Sequence, residues 1–165
     1  MKINNYQKSV LSWGILIFLG YVFQSIAHKY NLVILSWTLF IGIALFVQII
    51  LLWSNDKVSI NTNILWIIIS IIGGIITYVL WAGIITTDFK INVFWFLIVS
   101  IGMVGTYVMT RNNRYIMLCI IYALTAVIFQ ILNFDNDLIY VGISFLVLSI
   151  LDFYLEYKSD IKNII

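Results

Sequence analysis

Asp152 is the one ionisable residue set well back from the end of an apolar run, and Glu156 follows it by four positions. On an α-helix that spacing puts both carboxyl groups on one face. A carboxylate inside a membrane span costs several kcal/mol unless it is paired, hydrated or protonated, so such residues mark ion or proton sites by default. Gln48 falls at a comparable distance from the end of another apolar run. Gln48, Asp152 and Glu156 therefore form a candidate polar vestibule for a cation or a proton. The competing expectation is that Asp152 pairs with Arg111, Arg114 or Lys158 and only fixes packing.

A second polar set lies at the opposite ends of the apolar runs. Gln24 and His28 close the first, Gln130 and Asn133 close the fifth, and Asp135 and Asp137 follow, with Asp88 after the third. An acidic, amide-rich mouth attracts cations or polar solutes, and histidine, here His28, is the side-chain type suited to a switch near neutral pH. Gln24, His28, Gln130, Asp135 and Asp137 are the candidate outer mouth; the alternative is that they terminate helices at headgroup depth. Tyr21, Tyr78, Tyr107 and Tyr122 fall near the middle of their runs, as a polar path or as packing elements.

The elements that position these residues follow from the charges. Residues 9–27, 30–55, 58–87, 91–110 and 115–134 contain no Asp, Glu, Lys or Arg. A helix needs about 20 apolar residues to cross the hydrocarbon core, and no run shows the alternating polarity of a barrel strand. The pattern predicts an all-α integral membrane protein: one transmembrane domain over 1–165, with six helices at 9–27, 32–53, 64–86, 91–110, 115–133 and 138–157. These are expected as a bundle of three antiparallel hairpins. The chain is 63% hydrophobic and 10% charged, with a mean hydropathy of +1.07. That leaves too little polar surface for a water-soluble globule of 165 residues.

Basic loops stay in the cytoplasm. With the N-terminus inside, Lys2, Lys8, Lys57, Arg111, Arg114, Lys158 and Lys162 are inner, and only Lys29 and Lys90 are outer. Both termini are expected to be cytoplasmic, in a multi-pass protein of the cell (plasma or inner) membrane. Trp13, Trp53 and Trp66 near inner ends, and Trp37, Trp81 and Trp95 near outer ends, fit interfacial belts. Lys2 and Lys8, then apolar residues 10–23, then Ser25-Ile26-Ala27 also have the form of a cleavable leader; a retained anchor is expected.

Small residues allow close helix approach in lipid. Ser70, Gly73, Gly74, Thr77 and Gly83 crowd the third helix, which is expected at the centre and packed on the fourth. Gly73-Gly74 is also the one candidate helix break in a chain without proline. Leu11-Ser12-Trp13 with Gln24 recurs 24 positions on as Leu35-Ser36-Trp37 with Gln48, a weak internal echo.

HExxH, GxSxG, GxGxxG and CxxC motifs are absent, and the chain has one histidine, His28, and one cysteine, Cys119. No catalytic residues, metal or cofactor are expected, and nucleic acid is excluded as a partner because the basic residues are scattered. The expected partners are the lipid bilayer and either further copies of the chain or another membrane protein. Two functions fit: a small transporter or channel-type subunit for an ion or small polar solute, or a non-transporting interaction protein of the stress-response, immunity or accessory kind.

Overall fold

The structure, a computed structural model, describes residues 5–27, 33–52, 57–82, 84, 91–132 and 138–162. Those residues form six α-helices, with no strand among them: α1 (Asn5–Ala27), α2 (Val33–Leu52), α3 (Lys57–Trp81), α4 (Ile91–Thr110), α5 (Arg114–Leu132) and α6 (Leu138–Lys162). Five are long and apolar enough to cross a membrane, over Gln7–Ile26, Ile60–Leu80, Val93–Thr110, Arg114–Leu132 and Leu138–Lys158. In α2 the described apolar stretch is the shorter Trp37–Val47.

Two helices depart from the expected limits. α3 begins at Lys57 instead of 64, and α6 continues to Lys162 instead of stopping at 157. Charged and polar residues mark where lipid ends, but Lys, Glu, Asn and Ser do not stop a helix. α3 closes at Trp81 instead of 86, where Ala82 N–H donates to Tyr78 O at 2.8 Å and Ile84 N–H to Val79 O at 3.2 Å. Gly83 in the sequence is the usual signal for such a stop.

The α4–α5 turn is three residues long. Arg111 takes a left-handed backbone (φ 56°), and its N–H donates to Tyr107 O at 2.7 Å. Asn112 then caps α5, its Oδ1 accepting from Arg114 N–H at 3.2 Å. The Arg114 guanidinium lies 4.3 Å from the centre of the Tyr115 ring.

The helices group into two compact units, α1, α2 and α6 in one and α3, α4 and α5 in the other. In the first, α1 packs on both α6 and α2; in the second, α4 packs on both α5 and α3. The central place in the second unit thus belongs to α4, not to the third helix as its small residues suggest. α4 is small on two sides: Gly102 and Gly105 face α3, while Ser100 donates to Cys119 O of α5 at 3.0 Å. α3 instead exposes Ile64, Ile68, Ile71, Ile72 and Ile75 along one face.

Glycine and tryptophan set the α3–α4 register reciprocally. A methyl group on Gly73 would stand 2.8 Å from the Trp95 ring, and one on Gly102 would stand 2.6 Å from the Trp66 ring. Each helix thus gives one notch and one ring, and the crossed pairing makes them antiparallel. α3 is helical without interruption through Gly73-Gly74. The glycine there makes room for an indole.

The polarity of the molecule is reversed from that of a water-soluble protein. Phe46, Ile101, Leu124 and Ile131 stand outward, while Gln7, Gln24, Asn63, Thr106 and Asp152 are buried. Large exposed apolar surface marks a lipid or partner contact. Together with the five apolar helices, this surface is compatible with a membrane-embedded protein.

Candidate functional site

Asp152 is completely buried on α6, within the first unit. Two close approaches fix how α6 runs against α1. A methyl group on Gly14 would meet Cβ and Oγ of Ser149, and one on Gly142 would lie 3.1 Å from Cβ of Tyr21. Position 14 is therefore level with 149 and position 21 with 142, an antiparallel register in steps of seven. One further step, 14 − 7 and 149 + 7, sets Gln7 level with Glu156, and Asp152 falls in the turn between. Gln7, Ser9 and Ser149 are buried as Asp152 is, and Glu156 is half-buried. None of Gln7, Ser9, Asp152 and Glu156 is without a partner.

The result is a polar layer at one end of the α1–α6 seam, with the Gln7 amide, the Ser149 hydroxyl and the carboxyl groups of Asp152 and Glu156; Ser9 lies on the other side of α1, with Trp13 and Gly20 toward α2. Charge buried there is tolerable only with such donors around it. The layer can hold a proton or a small cation, or it can lock the two helices in register. Sequence reasoning found Asp152 and Glu156 but missed Gln7, which lies beside Lys8 in what reads as a polar tail. A helix start moved from 9 to Asn5 would have brought Gln7 into view.

The remaining candidates divide. Gln48 lies on α2, but its side chain is outside the described residues, so its meeting with Asp152 is not among the contacts on view. His28, Asp135 and Asp137 also lie outside the described residues. Gln24 is buried and its Oε1 accepts from Trp37 Nε1–H at 2.9 Å, joining α1 to α2. Gln130 is exposed on α5. Gln24 and Gln130 belong to different units. Of the mid-run tyrosines, Tyr21 is buried in the first unit, stacked 6.3 Å from Phe145 and edge-on to Trp37 at 5.0 Å. Tyr122 is buried in the second beside Phe96, Tyr107 is half-buried, and Tyr78 faces outward. They make aromatic packing and an outer face.

The unit interiors are closed by rings. Phe96 stacks on Phe129 at 5.3 Å in the second unit. Between α1 and α2 a small apolar cavity of about 10 Å³ is lined by Trp13, Leu16, Trp37, Phe40 and Ala44. Its wholly apolar lining offers an ordered water no hydrogen-bond partner.

Fold and site together define a class: an all-helical chain with five helices long and apolar enough to cross a membrane and a carboxylate buried on its last helix. No known protein family, curated protein or solved structure matches it.

Proposed function

We propose that this is a six-pass membrane protein with both termini in the cytoplasm, acting as a small transporter or channel-type subunit for an ion or small polar solute. The observation that carries the transport reading is the complete burial of Asp152, in the turn of α6 between the buried Ser149 and the half-buried Glu156. A membrane helix gains nothing in lipid solubility from such a group, and intramembrane acids are usual components of cation and proton routes. The charge asymmetry, seven basic residues against two, supports a position for this layer near the cytoplasmic face. The test is flux in proteoliposomes under imposed proton, Na⁺ or K⁺ gradients. Wild type should dissipate one of them, and Asp152→Asn, which keeps volume and hydrogen bonding, should abolish that flux. Equal flux in Asp152→Asn refutes the vestibule.

A second reading rests on a different observation, the ring-packed interiors. Phe96 on Phe129 and Tyr21 on Phe145 leave each three-helix unit filled by aromatic side chains. That favours an interaction protein whose outward apolar faces meet lipid and a membrane partner, with Asp152 as a register lock. Absence of flux in wild type, with Asp152→Asn lowering stability, selects this reading.

A further inference from the structure

One face of α3 carries polar atoms that packing leaves unused. Asn63, Ser70 and Thr77 recur every seven residues on α3, all of them buried. Seven residues advance an α-helix about 10.5 Å and return to nearly the same face, so the stripe is about 21 Å long. It lies roughly 80° around the helix from Leu65, Trp66, Ile69 and Gly73, the positions that meet α4.

Most hydroxyls in these helices close back on their own backbone, Ser70 of the stripe among them. Ser70 donates to Trp66 O at 2.7 Å, Thr106 to Gly102 O at 2.9 Å, Thr125 to Ile121 O at 2.8 Å and Ser144 to Tyr140 O at 2.9 Å. Thr77 does not. Its Oγ1 is buried with no hydrogen-bond partner, and Asn63 Nδ2 is buried with none either. A buried donor without a partner is costly, and water or a small polar solute is what ordinarily satisfies it. Gly74 lies between Ser70 and Thr77, carries no side chain and is only half-buried.

We propose that the Asn63–Ser70–Thr77 stripe is a hydrated path along α3 that binds water and small uncharged hydrogen-bonding solutes. Residues 58–87 contain no charged side chain, so nothing on the stripe balances an ion. The stripe is in the other unit from Asp152 and stands independently of the reading given to that residue.

The test is cysteine accessibility in proteoliposomes, with Cys119→Ala removing the native thiol. Single cysteines replace Asn63, Ser70 and Thr77, and the adjacent outward residues Ile64, Ile71 and Tyr78. A small charged methanethiosulfonate reacts with thiolate in water and not with thiol in lipid. Ser70→Cys, a one-atom change, and Thr77→Cys should react at least tenfold faster than Ile71→Cys and Tyr78→Cys. Equal rates overturn the proposal. In the same vesicles, Ser70→Ala with Thr77→Val should lower the permeability to water and urea at least threefold, and unchanged permeability overturns the solute path. Asp152→Asn should leave the labelling pattern as it is, which separates failure of this proposal from failure of the vestibule.

Discussion

Gly14 and Gly42 form a matched pair that isolates the α1–α6 approach. A methyl group at Gly14 falls on Ser149 Cβ and within 2.5 Å of its Oγ, whereas one at Gly42 meets nothing within 4 Å. Carbon atoms in ordinary contact stand about 3.5–4.0 Å apart. Ser149 Cβ is the first atom of its side chain, so no rotamer moves it away and the two backbones must part by about 1 Å. Overpacking of this kind costs about 1–3 kcal/mol. Helix propensity does not offset the cost, because a helix in lipid stays helical after its neighbours leave. Gly42→Ala should therefore change stability by less than about 0.5 kcal/mol. Gly14→Ala should lower the folding equilibrium constant roughly 5- to 150-fold. The assay is SDS-induced unfolding in mild detergent, followed by intrinsic tryptophan fluorescence. Ser149→Gly removes both opposing atoms, so the double variant should recover most of the loss. Stability of Gly14→Ala within about 0.5 kcal/mol of Gly42→Ala, or no recovery in the double variant, would refute the register.

Gln24→Leu leaves the buried Trp37 Nε1–H without its acceptor and should cost about 1–3 kcal/mol in the same titration. Asn112→Ala removes the cap of α5 and should cost about 0.5–2 kcal/mol, read as a lower thermal midpoint in detergent. Gly73→Leu and Trp95→Ala should each destabilise, the first by crowding and the second by emptying a notch. Their combination should beat the sum by about 0.5–3 kcal/mol, and strict additivity would deny the notch. Reporter fusions after Lys57 and Arg114 should read cytoplasmic and those after Lys29 and Asp88 external; inversion of either pair removes the six-pass topology.

Much of the fold is written in the charges. The spacing predicts α1, α2, α4 and α5 to within four residues at each end, because in these segments ionic residues and helix ends nearly coincide. It misses the first two turns of α3 and the last turn of α6, where Lys57, Asn61, Lys158 and Lys162 continue the helix. The α3–α4 register was also present, though not as small residues alone. Trp66 and Gly73 are seven apart, and so are Trp95 and Gly102. Two antiparallel helices with equal Trp-to-Gly spacing can seat each ring on the other's glycine. Treating tryptophans as interfacial belts and glycines as backbone contacts hides that pairing. Asp152 was legible because a carboxylate in an apolar run is conspicuous. Asn63 was not, since amides near a helix start usually mean a cap or a loop.

Lipid supplies no hydrophobic force between helices, so shape and a few polar contacts must fix the arrangement. In the second unit shape goes far: sliding α3 on α4 by one turn, about 5.4 Å, drives two indoles off two glycines at once. Among the polar contacts, Ser100 to Cys119 O and Trp37 to Gln24 join helices, while most other hydroxyls only close on their own backbone. These account for Gly73, Gly102 and Gly105, for Trp37, Trp66 and Trp95, and for most of the described hydroxyls as packing. They do not account for Asp152, Asn63 or Thr77. A well-packed apolar side chain of similar size would hold such a position at little or no cost, and a buried ionic or unsatisfied group is often the less stable choice. Stability alone therefore gives no reason for these three, and the transport reading proposed for Asp152 and the hydrated path proposed for Asn63 and Thr77 each supply one.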